Sequence, residues 1–269
     1  MREVVLRLRA DALDVVLDRI LPLVPGGVRE RQLDREEIEL RMRGEALPEL
    51  AAFRRALGPL RVAISESSVS DDFRQRRLAD YRPDVIGGRL VVRPPWAPAA
   101  AAGLIEIVLE EGAAFGAGTH PTTSTCLELL LRQAAGGSFA DLGCGSGVLA
   151  ILAARLGWSP VTALDLQPDS VTTAGYNASA NGVEITARSA DLLTEPPPAC
   201  DAFAANVPVA VHGALAAVWH QTGPPRSGLA SGFGPDRADT VAAAYAACGL
   251  AEGARHIRDG WVVAELVAR

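Results

Sequence analysis

Hydrophobic and polar positions near the N-terminus follow the periods of a small α+β domain. Residues 2–9 carry apolar side chains at every second position, which predicts a strand, and the segment after them carries apolar residues at helical spacing. Later elements are predicted as strands near 28–33 and 37–42, a helix near 47–57 and a strand near 60–66. The order β-α-β-β-α-β is typical of a split βαβ, ferredoxin-like domain with an antiparallel sheet.

From about residue 103 the pattern changes to strands that alternate with helices. Five apolar segments predict strands, at 138–142, 160–165, 183–187, 201–205 and 227–231. Two further strands, 250–255 and 261–267, flank Asp259-Gly260, a dipeptide typical of tight hairpins. This order predicts an α/β fold with a doubly wound, mostly parallel sheet that has one antiparallel edge.

The two patterns divide the chain into three parts. We expect an N-terminal α+β domain over 1–68, a connector over 69–102 and an α/β domain over 103–269. In the connector, a polar helix is predicted near 70–79 and a strand at 89–93. The Pro- and Ala-rich run that follows would suit a semi-rigid linker.

Composition narrows the classes of function. The 269 residues carry a formal net charge of −6, whereas nucleic-acid-binding proteins usually present a basic face. The four cysteines are widely spaced, which indicates free thiols in a reducing cytoplasm and no metal site. No apolar run approaches the roughly 20 residues that a membrane-spanning helix needs. We therefore expect a cytoplasmic protein that binds neither nucleic acid nor membrane.

A glycine-rich loop is the strongest chemical signal in the chain. Gly143, Gly145 and Gly147 stand between a predicted strand and a predicted helix, where the backbone can come close to a ligand. A dinucleotide fingerprint would have its third glycine at Val148, and a phosphate-binding loop would end in Gly-Lys-Ser/Thr. The loop therefore suits a nucleoside without a pyrophosphate, and S-adenosylmethionine is the obvious candidate.

Polar side chains end or follow the next predicted strands. Asp165 is placed to accept hydrogen bonds from ribose hydroxyls, Asp191 to meet an adenine, and Asn206 to lie beside a reactive methyl group. Each aspartate could instead cap the next helix. Placement after successive strands favours one binding site, because the carboxyl ends of parallel strands meet at one edge of the sheet.

The segment Phe115–Thr123, Phe-Gly-Ala-Gly-Thr-His-Pro-Thr-Thr, resembles the hallmark of the PrmA family. Members methylate lysines and the N-terminal amine of a large-subunit ribosomal protein, the L-eleven protein. The resemblance implies a seven-stranded Rossmann-like methyltransferase sheet and cofactor contacts from Thr123, Gly143, Asp165 and Asn206. Thr123 could instead be the N-cap of the following helix. His120 could line the active site or be structural.

One segment departs from the family pattern. After Asn206, where the family has a short apolar Ile-Leu-Ala-type segment, this chain has Val207–His212. In the family this segment borders the substrate amine, so two alternatives stay open: methylation of another protein or a small molecule, and a non-catalytic binding module.

Catalysis is expected to rest on alignment of the reactants. Asn206 and the carbonyls near Val207 and Pro208 are the candidates to orient the amine, and no clear general base is found. A monomer is expected, with the N-terminal domain recruiting the ribosomal protein.

Overall fold

The computed structural model describes residues 2–24, 28–33, 36–44, 47–68, 84–110 and 120–269. The chain divides into two compact units, Met1–Tyr81 and Arg82–Arg269. The predicted helix near 70–79 and the Phe115–Thr119 part of the family segment lie outside the described residues. No helix in the described part of the chain is long and apolar enough to cross a membrane.

The first unit has the predicted order of elements. Its helices are α1 (Leu13–Ile20) and α2 (Leu50–Leu57), and its strands are β1 (Arg2–Arg9), β2 (Arg29–Gln32), β3 (Glu37–Gly44) and β4 (Ala63–Ser68). The strands form an antiparallel sheet in the order β2-β3-β1-β4. Alternate residues of the central strand, Val4, Leu6 and Leu8, pack in one hydrophobic cluster with apolar side chains of both helices.

A small sheet opens the second unit. Strands β5 (Val85–Ile86), β6 (Leu90–Arg93) and β7 (Ile105–Val108) pair in that order. Of these, the sequence predicted a strand only near β6. Strand β5 has two residues, too few to show a period, and β7 was missed although Ile105, Glu106 and Ile107 alternate. Leu90 and Ile107 join a hydrophobic cluster of the second unit. Residues 84–102 thus lie in that unit, while the domain boundaries stay a prediction.

The large sheet confirms the predicted α/β fold. Its strands are β8 (Phe139–Leu142), β9 (Val161–Asp165), β10 (Thr186–Ser189), β11 (Ala202–Asn206), β12 (Ser227–Phe233), β13 (Leu250–Arg258) and β14 (Trp261–Ala268). Their order is β10-β9-β8-β11-β12-β14-β13. Strands β8 to β12 pair in parallel, and β14 runs antiparallel to both its neighbours.

Helices cover both faces of the large sheet. They are α3 (Pro121–Leu130), α4 (Val148–Leu156), α5 (Pro168–Ala180), α6 (Val209–Thr222) and α7 (Pro235–Ala247). In β11 the side chains alternate between the faces: Ala204 packs in a cluster with residues of α3, α4 and α5, and Ala205 in a cluster with residues of α6 and α7. The same alternation decides on which face of the sheet the last residue of each strand lies.

The β13–β14 hairpin has the tight turn that the sequence predicted. Asp259 and Gly260 have φ values of +48° and +79°, the two positive angles of a type I′ turn. Arg258 and Trp261 pair directly beside the turn.

A buried histidine joins α6 to α7 and β12. The His212 side chain is fully buried, its Nε2 donates to the Ser231 carbonyl at 2.9 Å, and its Nδ1 accepts from the Tyr245 hydroxyl at 2.8 Å. Burial lowers its pKa to about 4, against a weaker opposing effect of the Ser231 and Val207 carbonyls. His212, where the sequence departs from the family, is therefore neutral and packed in the core.

Replacing His212 by leucine is expected to remove a pH-dependent part of the stability. The His212 ring binds a proton below about pH 6.5 in the unfolded chain but only below about pH 4 in the folded chain. The contribution of neutral His212 to the free energy of unfolding is therefore complete at neutral pH and is lost as the pH falls. Between pH 7.5 and pH 5 the loss is about 2 kcal/mol. Urea unfolding at both pH values should show this loss in the parent and not in His212→Leu. An equal pH dependence in the two proteins would contradict the assignment.

Candidate functional site

The glycine loop connects β8 to α4 at the carboxyl edge of the large sheet. Gly143, Gly145 and Gly147 have φ values of +84°, +51° and +79°, which side chains rarely adopt. A Cβ on Gly143 would lie 2.3 Å from Val207 Cγ1, and one on Gly147 would lie 2.8 Å from the Ala174 Cβ. The loop is therefore held between the end of β11 and helix α5, with its backbone at the edge where ligands bind in such sheets.

Asp141, in β8, caps helix α4 from the preceding strand. Its Oδ2 accepts from the Ala150 amide at 3.0 Å, which satisfies one of the first N–H groups of the helix. Its buried Oδ1 has no hydrogen-bond partner in the described part of the chain. Burial raises the pKa of this carboxyl to about 7, and the nearby Asp165 adds to the shift.

Asp165 ends β9 and holds the glycine loop. Its Oδ2 accepts from the Gly145 amide at 2.9 Å and its Oδ1 from the Gln167 amide at 2.9 Å. A carboxylate has about four acceptor positions, so both oxygens can still accept from ribose hydroxyls. The strand-end carboxylate and the glycine cradle thus fit a nucleoside cofactor.

Asp191 follows β10, the neighbour of β9. The Ala190 amide donates to the Asp165 carbonyl at 2.9 Å, which brings the two aspartates to the same edge. The Asp191 Oδ1 accepts from the Leu193 amide at 3.0 Å and so closes a local turn, which is not the start of a helix as the capping alternative supposed. Its contact with an adenine stays a prediction.

Asn206 ends β11 and is linked to the N-terminus of α3. Its Nδ2 donates to Thr122 Oγ1 at 3.0 Å, and Thr122 Oγ1 lies 2.7 Å from His120 Nδ1. His120 is the N-cap of α3, and its Nδ1 accepts from the Thr122 amide at 3.3 Å. Thr122 was not singled out by the sequence, although it stands inside the family segment.

This chain of hydrogen bonds determines the orientation of the Asn206 amide. His120 Nδ1 accepts a backbone N–H, so it carries the lone pair and Thr122 Oγ1 must donate its proton to it. The same hydroxyl can then only accept from Asn206, which places Nδ2 toward Thr122. The Asn206 Oδ1 consequently points away from Thr122 and remains available to accept a hydrogen bond. Burial lowers the pKa of His120, which keeps the ring neutral in this arrangement.

Thr123 occupies the third position of α3, so His120 and not Thr123 is the N-cap of this helix. The Thr123 side chain is buried, and its Oγ1 has no hydrogen-bond partner among the described residues. A buried hydroxyl without a partner is costly, and a ligand hydrogen bond would relieve that cost. The cofactor contact predicted for Thr123 is compatible with this position.

The seven-stranded sheet, the glycine loop after β8 and the carboxylate at the end of β9 define a class, the Rossmann-like methyltransferases that use S-adenosylmethionine. Comparison with known proteins places the chain more narrowly. A family model described as ribosomal protein L11 methyltransferase (PrmA) matches residues 39–269, and the chain belongs to this family. The family and the cofactor predicted from the sequence are confirmed.

Individual relatives support the assignment. The ribosomal protein L11 methyltransferase of Pelotomaculum thermopropionicum is 37% identical over 223 residues, which cover 80% of this chain and 72% of that protein. The protein of the same description from Symbiobacterium thermophilum is 37% identical over 195 residues, 71% of this chain and 64% of that protein. A crystal structure of ribosomal protein L11 methylase from Lactobacillus delbrueckii subsp. bulgaricus has a TM-score of 0.63 and 24% identity. It covers 70% of this chain and 100% of that chain, and supports the fold.

Proposed function

We propose that this chain transfers methyl groups from S-adenosylmethionine to amines of ribosomal protein L11, namely lysine ε-amines, the N-terminal α-amine or both. The relatives that carry this description support the substrate. The observation that carries the chemistry is the oriented Asn206 amide beside the glycine loop.

The residues proposed to hold the cofactor are Thr123, Gly143, Gly145, Asp165, Asp191 and Asn206. Bound S-adenosylmethionine would supply an electrophilic methyl group on a sulfonium centre. Asp165 would accept from the ribose hydroxyls while it keeps its bond to the Gly145 amide. The buried Thr123 hydroxyl, which has no partner among the described residues, would gain one in the filled site.

Asn206 is proposed to orient the acceptor amine. The sequence also suggested the carbonyls of Val207 and Pro208 as acceptors, but both are occupied by the protein itself. The Val207 carbonyl oxygen lies so close to Gly232 that a Cβ on this glycine would be 2.4 Å from it. The Pro208 carbonyl accepts from the Val211 amide at 3.0 Å. The Asn206 Oδ1 is the remaining acceptor of this side chain, because its Nδ2 binds Thr122. By accepting an amine N–H it would direct the nitrogen lone pair, which methyl transfer requires.

The amine must be neutral to react, and a lysine amine has a pKa of about 10.4 in water. Desolvation in the site lowers that pKa and favours the neutral form. His120 does not provide a free base at Nδ1, because that nitrogen binds Thr122. Alignment of acceptor and donor can supply much of the rate without a base.

The proposal also covers the cellular location, the oligomeric state and the way the substrate protein is bound. We propose a cytoplasmic, monomeric enzyme whose N-terminal unit recruits the ribosomal protein. The net charge of −6 supports a protein partner over nucleic acid.

Transfer of labelled methyl groups to purified ribosomal protein L11 tests the proposal. Label is expected on lysines or on the N-terminal residue, located by mass spectrometry after digestion. Calorimetry with S-adenosylmethionine should run in parallel. Saturable cofactor binding with label only on other proteins or small molecules would move the function to another acceptor. Absence of any cofactor binding would leave a non-catalytic module.

A further inference from the structure

A half-exposed indole stands at the carboxyl edge of the large sheet. Trp261 is the first residue of β14, directly after the hairpin turn, and is 37% exposed. The register places Asn206 opposite Ser231, and Ser231 opposite Val263. Trp261 lies two residues beyond Val263 in the direction in which β11 and β12 end. From the strand spacing, its Cα is roughly 12 Å from that of Asn206.

Trp261 and Asn206 also share one face of the sheet. Val263 packs in the cluster that contains α3, and Val262 packs on the opposite face, so alternation puts Trp261 on the α3 side. The same alternation through Ala204 and Ala205 puts Asn206 on the α3 side.

Two contacts fix the indole beside the N-terminus of α3. The ring centroids of His120 and Trp261 are 5.2 Å apart in an edge-on arrangement. Arg258, the cross-strand partner of Trp261, donates to Glu128 at 3.2 Å and to Ser124 Oγ at 3.4 Å. The N-terminal part of α3 thus contacts both the hairpin tip, through His120 and Ser124, and the Asn206 amide, through Thr122.

We infer that Trp261 lines the acceptor pocket and holds the alkylammonium group of the substrate against its indole ring, opposite Asn206. This inference rests on the proposed function, because it assigns a residue to the acceptor side of that site. Indole is the best of the natural aromatic groups for a cation within about 6 Å of the ring centroid. An amine that has received one or two methyl groups is still protonated in water at neutral pH, and a trimethylated one is permanently charged. The substrate amine arrives as such a cation and releases its proton to water before the neutral amine is methylated. Trp261 therefore binds the arriving ammonium and the methylated product, and Asn206 orients the neutral amine.

Kinetics of Trp261→Leu and Trp261→Phe test the role. At saturating S-adenosylmethionine, the leucine variant is expected to raise the KM for recombinant ribosomal protein L11 about tenfold, and the phenylalanine variant about threefold. The dissociation constant for S-adenosylmethionine should stay within about twofold, since the ring serves the acceptor. Mass spectrometry should show products with fewer methyl groups from the leucine variant.

Ile257→Ala is the matched control, because Ile257 is on the same hairpin and 60% exposed. It should leave both constants unchanged, and melting temperatures check that all three variants fold. An unchanged KM for the leucine variant would overturn the inference. So would a parallel loss of cofactor affinity, which would put the indole on the cofactor side.

A second measurement does not depend on the identity of the protein substrate. Choline and its uncharged isostere 3,3-dimethyl-1-butanol are titrated into the cofactor-loaded parent chain, and the indole N–H resonance of Trp261 is identified by its loss in Trp261→Phe. Choline is expected to shift this resonance saturably at several-fold lower concentration than the alcohol. Equal shifts or none would overturn the inference. A parent chain that shows the choline shift but does not label L11 would instead contradict the proposed function.

Discussion

Replacing Asn206 by alanine is expected to lower kcat for methyl transfer about 100-fold. The substitution removes the oxygen that orients the amine, and misplacement of a reacting group by about 1 Å can cost this much. The cofactor should still bind with no more than about a tenfold loss, because the glycine loop and Asp165 are unchanged. Rapid-quench measurement of a single turnover, with calorimetry for the cofactor, separates the two effects.

Thr122→Val tests the orientation of the Asn206 amide without changing Asn206 itself. Valine keeps the shape of threonine and removes the hydroxyl that binds both His120 Nδ1 and Asn206 Nδ2. The amide of Asn206 can then rotate, so kcat should fall about tenfold with Asn206 still present. Full activity of both variants would show that the amide does not orient the acceptor.

The sequence predicted the large sheet because its strands are apolar segments separated by helices with clear signals. Its edge hairpin was predictable from Asp259-Gly260 alone, since both residues must adopt positive φ. Strand β5 was missed because two residues carry no periodic information, whereas β7 was missed although Ile105, Glu106 and Ile107 alternate. These short strands are fixed by pairing and by burial of Leu90 and Ile107 in the larger core.

Candidate site residues were predictable where topology fixes them. Asp165 and Asn206 end parallel strands, so they share an edge of the sheet whatever the helices do. The Thr122–Asn206 bond joins residues 84 positions apart, and no local pattern encodes it. The same is true of Trp261, which reaches His120 only because β14 returns antiparallel beside β12. The segment Val207–His212 was expected to border the acceptor by its resemblance to the family, and within it the His212 side chain lies in the core.

The carboxylates of Asp141 and Asp165 have different electrostatic roles. Asp141 is buried with a raised pKa and caps α4, while Asp165 is partly exposed and accepts two backbone amides. Only Asp165 therefore has the exposure to bind a cofactor hydroxyl directly. This difference makes Asp165 the residue whose loss should be measured in cofactor affinity.

Replacing Asp165 by alanine is expected to weaken S-adenosylmethionine binding about 100-fold. Two hydrogen bonds from ribose hydroxyls to a carboxylate are worth about 3 kcal/mol together. The Gly145 amide would also lose its acceptor, which loosens the loop. Calorimetry measures the affinity, and the melting temperature checks that the second unit still folds.

Two variants isolate the cause of that loss. Asp165→Asn keeps an acceptor for the Gly145 amide but loses the charge, so it should fall between the parent and the alanine variant. Asp191→Ala removes the carboxylate after the next strand, where one oxygen already closes the Leu193 turn, and should cost less than about tenfold. If Asp165→Ala bound the cofactor as tightly as the parent, its carboxylate would serve only the two backbone amides. The nucleoside site would then have to be placed elsewhere along the edge of the sheet.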